Sequence, residues 1–172
     1  FRAAGVTAGL KASGRSDLAL VVNDGPDHHA AAVFTSNRVE AAPVTWSRQV
    51  VIDGRVDAVI LNSGGANACT GSPGFLDTHR TAEKVGEVLG VSAGDVVVCS
   101  TGLIGERLPM DLLLPGVDAV ATALSVDGHD AAATAIMTTD TVSKQATFVG
   151  DGWAVSGMAT GDQALFVRRS VF

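Results

Sequence analysis

Apolar and polar positions follow two different periods along this chain, and turn residues mark where one gives way to the other. Leu18-Ala19-Leu20-Val21-Val22 is an unbroken apolar run closed by Asn23-Asp24-Gly25-Pro26, the pattern of a buried strand and its turn. Ala30–Thr35 repeats the pattern and predicts a second strand, in a hairpin with the first, and Val44-Thr45-Trp46 predicts a weaker third. Ala58–Leu61 predicts a central strand, and Asp95–Ser100, built on Val96-Val97-Val98, predicts another. Over Asp77–Leu89 the period lengthens. Ala82, Val85 and Leu89 share one face there, while Arg80, Glu83, Lys84 and Glu87 fall mostly on the other, so the segment predicts an amphipathic helix.

Pro109 suits the first turn of a short helix through Leu114, which Pro115-Gly116 interrupts. Val117–Leu124 and Asp130–Met137 predict two further helices. Ala146–Val149 and Trp153–Met158 predict a final hairpin around Gly150-Asp151-Gly152, whose edge the tail Phe166–Arg169 either covers or leaves open. Strand pairs with helices between them define an α/β or α+β class, a layered sandwich of β-sheets with flanking helices.

Composition narrows this picture. With 172 residues, 47% of them hydrophobic, the chain has enough apolar material for one domain with a sizeable core. Aromatics make up only 5% and tyrosine is absent, so that core is expected to use small and β-branched side chains in closely packed layers. A net charge of −6 without a basic stripe argues against non-specific nucleic-acid binding. No stretch approaches the ~18 consecutive apolar residues of a membrane span, and no leader pattern is visible, so a cytoplasmic protein is expected. Because the first residue is Phe1 rather than Met, the chain is expected to begin inside a longer product.

The most unusual stretch is Asn62-Ser63-Gly64-Gly65-Ala66-Asn67-Ala68-Cys69-Thr70-Gly71, which follows a predicted strand directly. Its small and short polar side chains suit a place where backbone approaches something closely and amides and hydroxyls are aimed at it. It lacks the lysine of a phosphate loop and the order of a dinucleotide fingerprint, so no nucleotide cofactor is expected. Ser100-Thr101-Gly102-Leu103-Ile104-Gly105 follows a second strand, and two such loops suggest one shared site. The Thr101 hydroxyl and the Gly102 N–H have the make-up of an oxyanion hole, while the same dipeptide also serves ordinary turns. Ala135–Thr141 ends a helical pattern with three hydroxyls and one carboxylate. These suit either a small polar substrate or the free backbone groups of a helix end. The four histidines show no zinc spacing, so no metal site is predicted. Cys69 and Cys99 read as reduced packing residues beside the loops.

Four segments, taken in order, carry a resemblance: Phe1–Val6 with Gly9-Leu10-Lys11, Asn62–Gly71, Ser100–Gly105 with Leu108-Pro109-Met110, and Ala135–Thr141. Together they resemble the N-terminal α portion of the bifunctional ornithine acetyltransferase (glutamate N-acetyltransferase) family of cyclic arginine biosynthesis. That resemblance implies a layered α/β sandwich and a precursor that cuts itself into α and β chains, with an α/β heterotetramer as the assembly. The new N-terminal threonine of β is then the nucleophile, taking acetyl from N-acetylornithine and passing it to glutamate. Some members also accept acetyl-CoA, and no other cofactor is implied. The family's oxyanion hole maps onto Thr101 and Gly102, and its substrate-binding threonine maps onto Thr138.

The resemblance runs over residues 1–159 and departs in the tail, 160–172. After Gly157-Met158-Ala159 the family has a lysine, a glycine-rich stretch, a proline and the Ala-Thr scission pair. Here Thr160 follows and no Ala-Thr pair comes after it, the pattern expected of a frame change, an early stop or a genuinely divergent ending. By itself the chain is therefore expected to be inactive. A non-catalytic remnant or partner-binding half is the alternative, and a hydrolase using the chain's own hydroxyls or thiols is a third class.

Overall fold

All five residues of Leu18–Val22 are buried, so this strand is covered on both faces and has a neighbour on each side. The computed structural model describes residues 1–161 and 163–170. Its first sheet holds β1 (Arg2–Val6), β2 (Leu18–Val22), β3 (Ala58–Asn62) and β4 (Val96–Ser100) in that spatial order. The β1–β2 and β2–β3 pairs are antiparallel, and β3–β4 is parallel. The helices are α1 (Ala42–Val50), α2 (Gly71–Leu89), α3 (Met110–Thr122) and α4 (His129–Ala135). A second sheet, β5 (Lys144–Gly150), β6 (Trp153–Ala159) and β7 (Ala164–Ser170), is an antiparallel meander.

The mixed α/β class read from the sequence is correct, but three element assignments are not. Ala30–Thr35 is no strand: it runs irregularly over the surface with Val33 fully exposed, and β1 and β3 occupy both places beside β2. Its alanines offer little bulk to bury, which is what a strand of this length needs. Val44–Trp46 lies inside α1, where Pro43 sits in the first turn and Pro43, Ser47 and Val50 share the buried face at helical spacing. Pro115 does not divide two helices, because α3 runs through it.

The core has two sides. On one, Leu18, Leu20, Ile60, Val96 and Val98 pack against Ala82 and Val85 of α2 and Val117 and Val120 of α3. On the other, Ala19 and Leu61 meet Ala132, Ala135 and Ile136, with Cys99 and Met158 at the margin. Small residues let α4 cross β1 at backbone distance. A Cβ on Gly5 would lie 2.0 Å from the Ala131 carbonyl oxygen. This accounts for the Ala- and Gly-rich composition.

Both sheet edges are managed. The Ser47 hydroxyl of α1 donates to the Val98 carbonyl (2.8 Å) and accepts from the Val98 N–H (3.0 Å), while the Trp46 indole N–H donates to the Val96 carbonyl. These bonds occupy the outer row of β4 that another strand would otherwise use. At the other edge, Ala3 and Ser125 exchange two backbone bonds. In the second sheet β7 pairs with β6 along its whole length, so the tail covers the edge of the predicted hairpin. One face of this sheet leaves Phe148 and Phe166 largely exposed.

Candidate active site

Because β3 and β4 are parallel with Asn62 opposite Ser100, both chains leave the sheet at the same end. That end is where open α/β sheets bind ligands, since successive loops and their free backbone groups converge there. Asn62 ties the two exits together. Its side-chain N–H donates to the Gly65 carbonyl (2.9 Å), its side-chain oxygen accepts from the Ser100 hydroxyl (2.5 Å), and its backbone carbonyl accepts from Thr101 N–H (2.9 Å). Farther out, Ala66 N–H donates to the Leu103 carbonyl and Gly105 N–H to the Ala68 carbonyl. The two small-residue loops are one unit.

Gly102 sits at the point of closest approach. Its φ of +130° is a conformation that side chains oppose, and a Cβ there would lie 2.9 Å from the backbone nitrogen of Gly65. Gly102 is exposed, and none of the described residues accepts a bond from its N–H. Thr101 beside it is buried. The far end of the first loop is pinned by buried Asn67, which bonds the Gly74 carbonyl and the Thr78 hydroxyl of α2. Cys69, read from the sequence as a reduced packing residue beside the loop, is exposed in a left-handed turn at φ +59°.

The third predicted segment joins from below. The Ser63 hydroxyl donates to the carbonyl of Ala135, the last residue of α4. The Lys11 ammonium donates to the Met137 carbonyl (2.6 Å) and the Ser16 carbonyl (2.8 Å), and the Arg15 guanidinium reaches the carbonyl of Thr138 (3.4 Å). Thr138 itself is half-buried. Burial, followed by the charge of Arg15, lowers the Lys11 pKa. Asp140 accepts from Lys144 and from the hydroxyl of buried Thr160, and the Lys144 bond in particular holds the Asp140 carboxyl below its ordinary range. The Thr160 N–H donates to the Gln163 carbonyl, and the Gln163 side chain donates to the Ser100 carbonyl next to Thr101. Thr101 and Gly102 thus share one loop, and bonds through Ser63, Thr160 and Gln163 fasten the Thr138 segment to it.

Sequence reasoning missed the residue that organises this end. Asp17 is fully buried, and its carboxylate accepts from four successive backbone N–H groups: Ala8 (2.7 Å), Gly9 (3.1 Å), Leu10 (2.6 Å) and Lys11 (3.1 Å). Its own carbonyl accepts from Ser63 N–H, and Leu10 rests on Gly64. The available signal was a lone acidic residue set directly against the apolar run of β2. Among the described residues no cluster of three or more His, Cys, Asp or Glu is arranged to hold a metal.

Fold and site together define a mixed α/β protein whose two parallel strands deliver a glycine-lined, amide-bearing loop pair to one end of the sheet. The chain belongs to the ArgJ family, whose profile matches residues 2–165. It is 66% identical over 161 residues to the arginine biosynthesis bifunctional protein ArgJ of Streptomyces coelicolor, covering 94% of this chain and 42% of that protein. To ArgJ of Mycobacterium tuberculosis (strain H37Rv) it is 61% identical over 169 residues, again with 42% of the relative covered. The chain therefore spans less than half the length of these relatives. Among solved structures, ornithine acetyltransferase from Mycobacterium tuberculosis, complexed with ornithine, matches with a TM-score of 0.92 at 56% identity, covering 95% of this chain and 92% of that one. ArgJ of Bacillus halodurans matches with a TM-score of 0.78 at 33% identity, covering 99% and 84%.

Proposed function

We propose that this chain is the α part of a glutamate N-acetyltransferase of arginine biosynthesis, moving acetyl from N-acetylornithine to glutamate through an acyl-enzyme. The attacking threonine belongs to a β chain of the same precursor, with which the α part forms a heterotetramer in the cytoplasm. Residues 1–159 form the α-chain domain, and 160–172 are a divergent tail. The observation that carries this reading is Gly102. Its N–H has no acceptor among the described residues, and a left-handed conformation wedged on Gly65 fixes it beside Thr101.

In the first half-reaction the threonine oxygen bonds to the acetyl carbonyl carbon and negative charge moves to the carbonyl oxygen. The Gly102 N–H and the Thr101 hydroxyl donate to that oxygen. The tetrahedral species then collapses with scission of its C–N bond, and ornithine leaves as the amine carrying the proton that the threonine hydroxyl gave up. In the second half-reaction the glutamate amine attacks the acyl-threonine, and the same two donors act again. The reverse transfer returns a proton from the glutamate amine to the threonine oxygen. Each such donor lowers a barrier by about 3 kcal/mol, which is why both half-reactions need a hole held rigidly in place. Thr138 binds the substrate, and acetyl-CoA serves as a second donor where a member accepts it. Oxyanion donors cannot replace an attacking oxygen, so the 172-residue chain alone has no turnover.

The test incubates the purified chain with N-acetylornithine and glutamate, with and without a β chain from a close relative, and follows acetylglutamate. Activity only with the β chain supports the proposal. Steady turnover by the chain alone refutes it. Failure with the β chain favours the second reading, a non-catalytic half. Thr160, standing where the family has a lysine, and the exposed Phe148 and Phe166 favour that reading.

A further inference from the structure

Asp77 is a buried charge that the chemistry above leaves unused. Its side chain is fully buried in α2, and one residue takes both carboxylate oxygens. The Arg107 Nε–H donates to Oδ2 (2.8 Å) and its Nη2–H to Oδ1 (2.7 Å). This two-pronged fit of guanidinium to carboxylate fixes orientation as well as charge. Arg107 reaches the carboxylate from outside, with 54% of its side chain exposed. The pair thereby joins a core helix to the segment that leads away from Gly102.

That segment has few other attachments. Thr101 and Leu108 are buried, but every residue from Gly102 to Arg107 is exposed. Two backbone bonds tie it to the first loop, from Ala66 N–H to the Leu103 carbonyl and from Gly105 N–H to the Ala68 carbonyl. Among the described residues, Arg107 is the one side chain between 102 and 107 that makes a hydrogen bond or ion pair. The first loop is anchored on the same helix, where Asn67 donates to the Gly74 carbonyl and the Thr78 hydroxyl. Gly74, Asp77 and Thr78 are all buried. One turn of α2 therefore holds both loops, the first through Asn67 and the second through Arg107.

We infer that Arg107 is a positioning residue: with Asp77 it clamps the Thr101–Gly102 loop to α2 and so fixes where the Gly102 N–H points. It touches no reacting atom. The clamp itself is read from the geometry, whereas its consequence for catalysis rests on the function proposed above. A donor displaced by about 1 Å loses its alignment with a developing oxyanion, an error that costs on the order of a hundredfold in rate. The Thr138 segment is held by Ser63, Lys11 and Arg15 rather than by Arg107, so the loss falls on kcat and not on KM.

Amide hydrogen exchange on the full 172-residue chain tests the clamp without any substrate. Ala66 and Gly105 carry the two N–H groups that tie the loops together. In Arg107→Ala both exchange about tenfold faster while the amides of Ile60 and Leu61 in β3 keep the parent rates, and Arg107→Lys, which keeps the charge without the fork, falls between. Because Arg107→Ala leaves a buried carboxylate unpaired, Asp77→Asn, similar in shape and uncharged, is the second variant, and it loosens the same two amides. With the β chain of a close relative, Arg107→Ala lowers kcat about a hundredfold and leaves KM within about twofold, and Arg107→Lys recovers part of the loss. Parent-like exchange at Ala66 and Gly105 in Arg107→Lys and Asp77→Asn overturns the clamp. Uniform quickening along the whole chain makes the pair a general stabiliser and overturns it too. Local loosening with an unchanged kcat overturns the positioning role while leaving the acetyl exchange standing. Local loosening in a chain that no β chain activates leaves the clamp standing and removes the exchange.

Discussion

Replacing Asp17 by alanine is expected to be among the most damaging single changes in this protein. The side chain is fully buried and accepts four backbone N–H groups at 2.6–3.1 Å. Removing it leaves those donors without an acceptor, at about 1–3 kcal/mol each where water cannot enter. Gly9 is exposed and Ala8, Leu10 and Lys11 are only partly covered, so some of the four rehydrate. A net loss of roughly 3–5 kcal/mol remains, comparable to breaking a buried charge away from its partners. Set against a typical domain stability of about 5–15 kcal/mol, that is a large fraction.

Asp17→Asn should lose less, about 2–3 kcal/mol, because its carbonyl still accepts while its amide faces backbone donors. Urea unfolding of the three proteins measures both values, and hydrogen exchange at Ala8–Lys11 should quicken first. An Asp17→Ala protein within about 1 kcal/mol of the parent would falsify the view that this carboxylate organises the loop.

Three further outcomes follow from the same structure. Gly102→Ala forces a side chain into φ +130° with its Cβ 2.9 Å from the Gly65 nitrogen, so a urea midpoint lower by the equivalent of about 2–4 kcal/mol is expected; a fully stable variant would contradict the packing described. Lys144 beside Asp140 and Arg2 beside Asp24 hold both carboxyls below their ordinary range. Their contribution is complete above the unfolded carboxylate pKa and is lost as pH falls through the folded values, so stability should fall from about pH 5 downward. An Asp24→Asn, Asp140→Asn double variant should lose less over that interval, and identical pH slopes for the two proteins would remove the explanation. Phe148 and Phe166 lie largely exposed on one face of the β5–β7 sheet, so sedimentation at rising concentration should show self-association; a monodisperse monomer throughout counts against it.

Some of this molecule is visible in one dimension. Leu18–Val22 and Ala58–Leu61 announce strands because a strand covered on both faces needs only contiguous apolar residues, and Val96–Val98 does so as a β-branched run although its burial alternates. Asp77–Leu89 announces a helix because one face at a period of 3.6 is a property of the segment itself. The two small-residue loops could be paired in advance, since each follows a strand and each has the same composition. Ala30–Thr35 and Val44–Trp46 misled because short apolar runs do not distinguish strand, helix and surface chain. For the first, the partners beside β2 decided; for the second, Pro43 and the buried face shared with Ser47 and Val50 decided.

Local pattern therefore determined which segments could become regular structure and carried the family likeness. Tertiary structure decided that β1 flanks β2, that the tail becomes β7, and that Asp17, Lys11 and Arg15 belong to the same end as Gly102. The reason is physical. Burial and period are properties of consecutive residues, whereas a strand's neighbour or a carboxylate's four donors depend on what the rest of the chain brings opposite them.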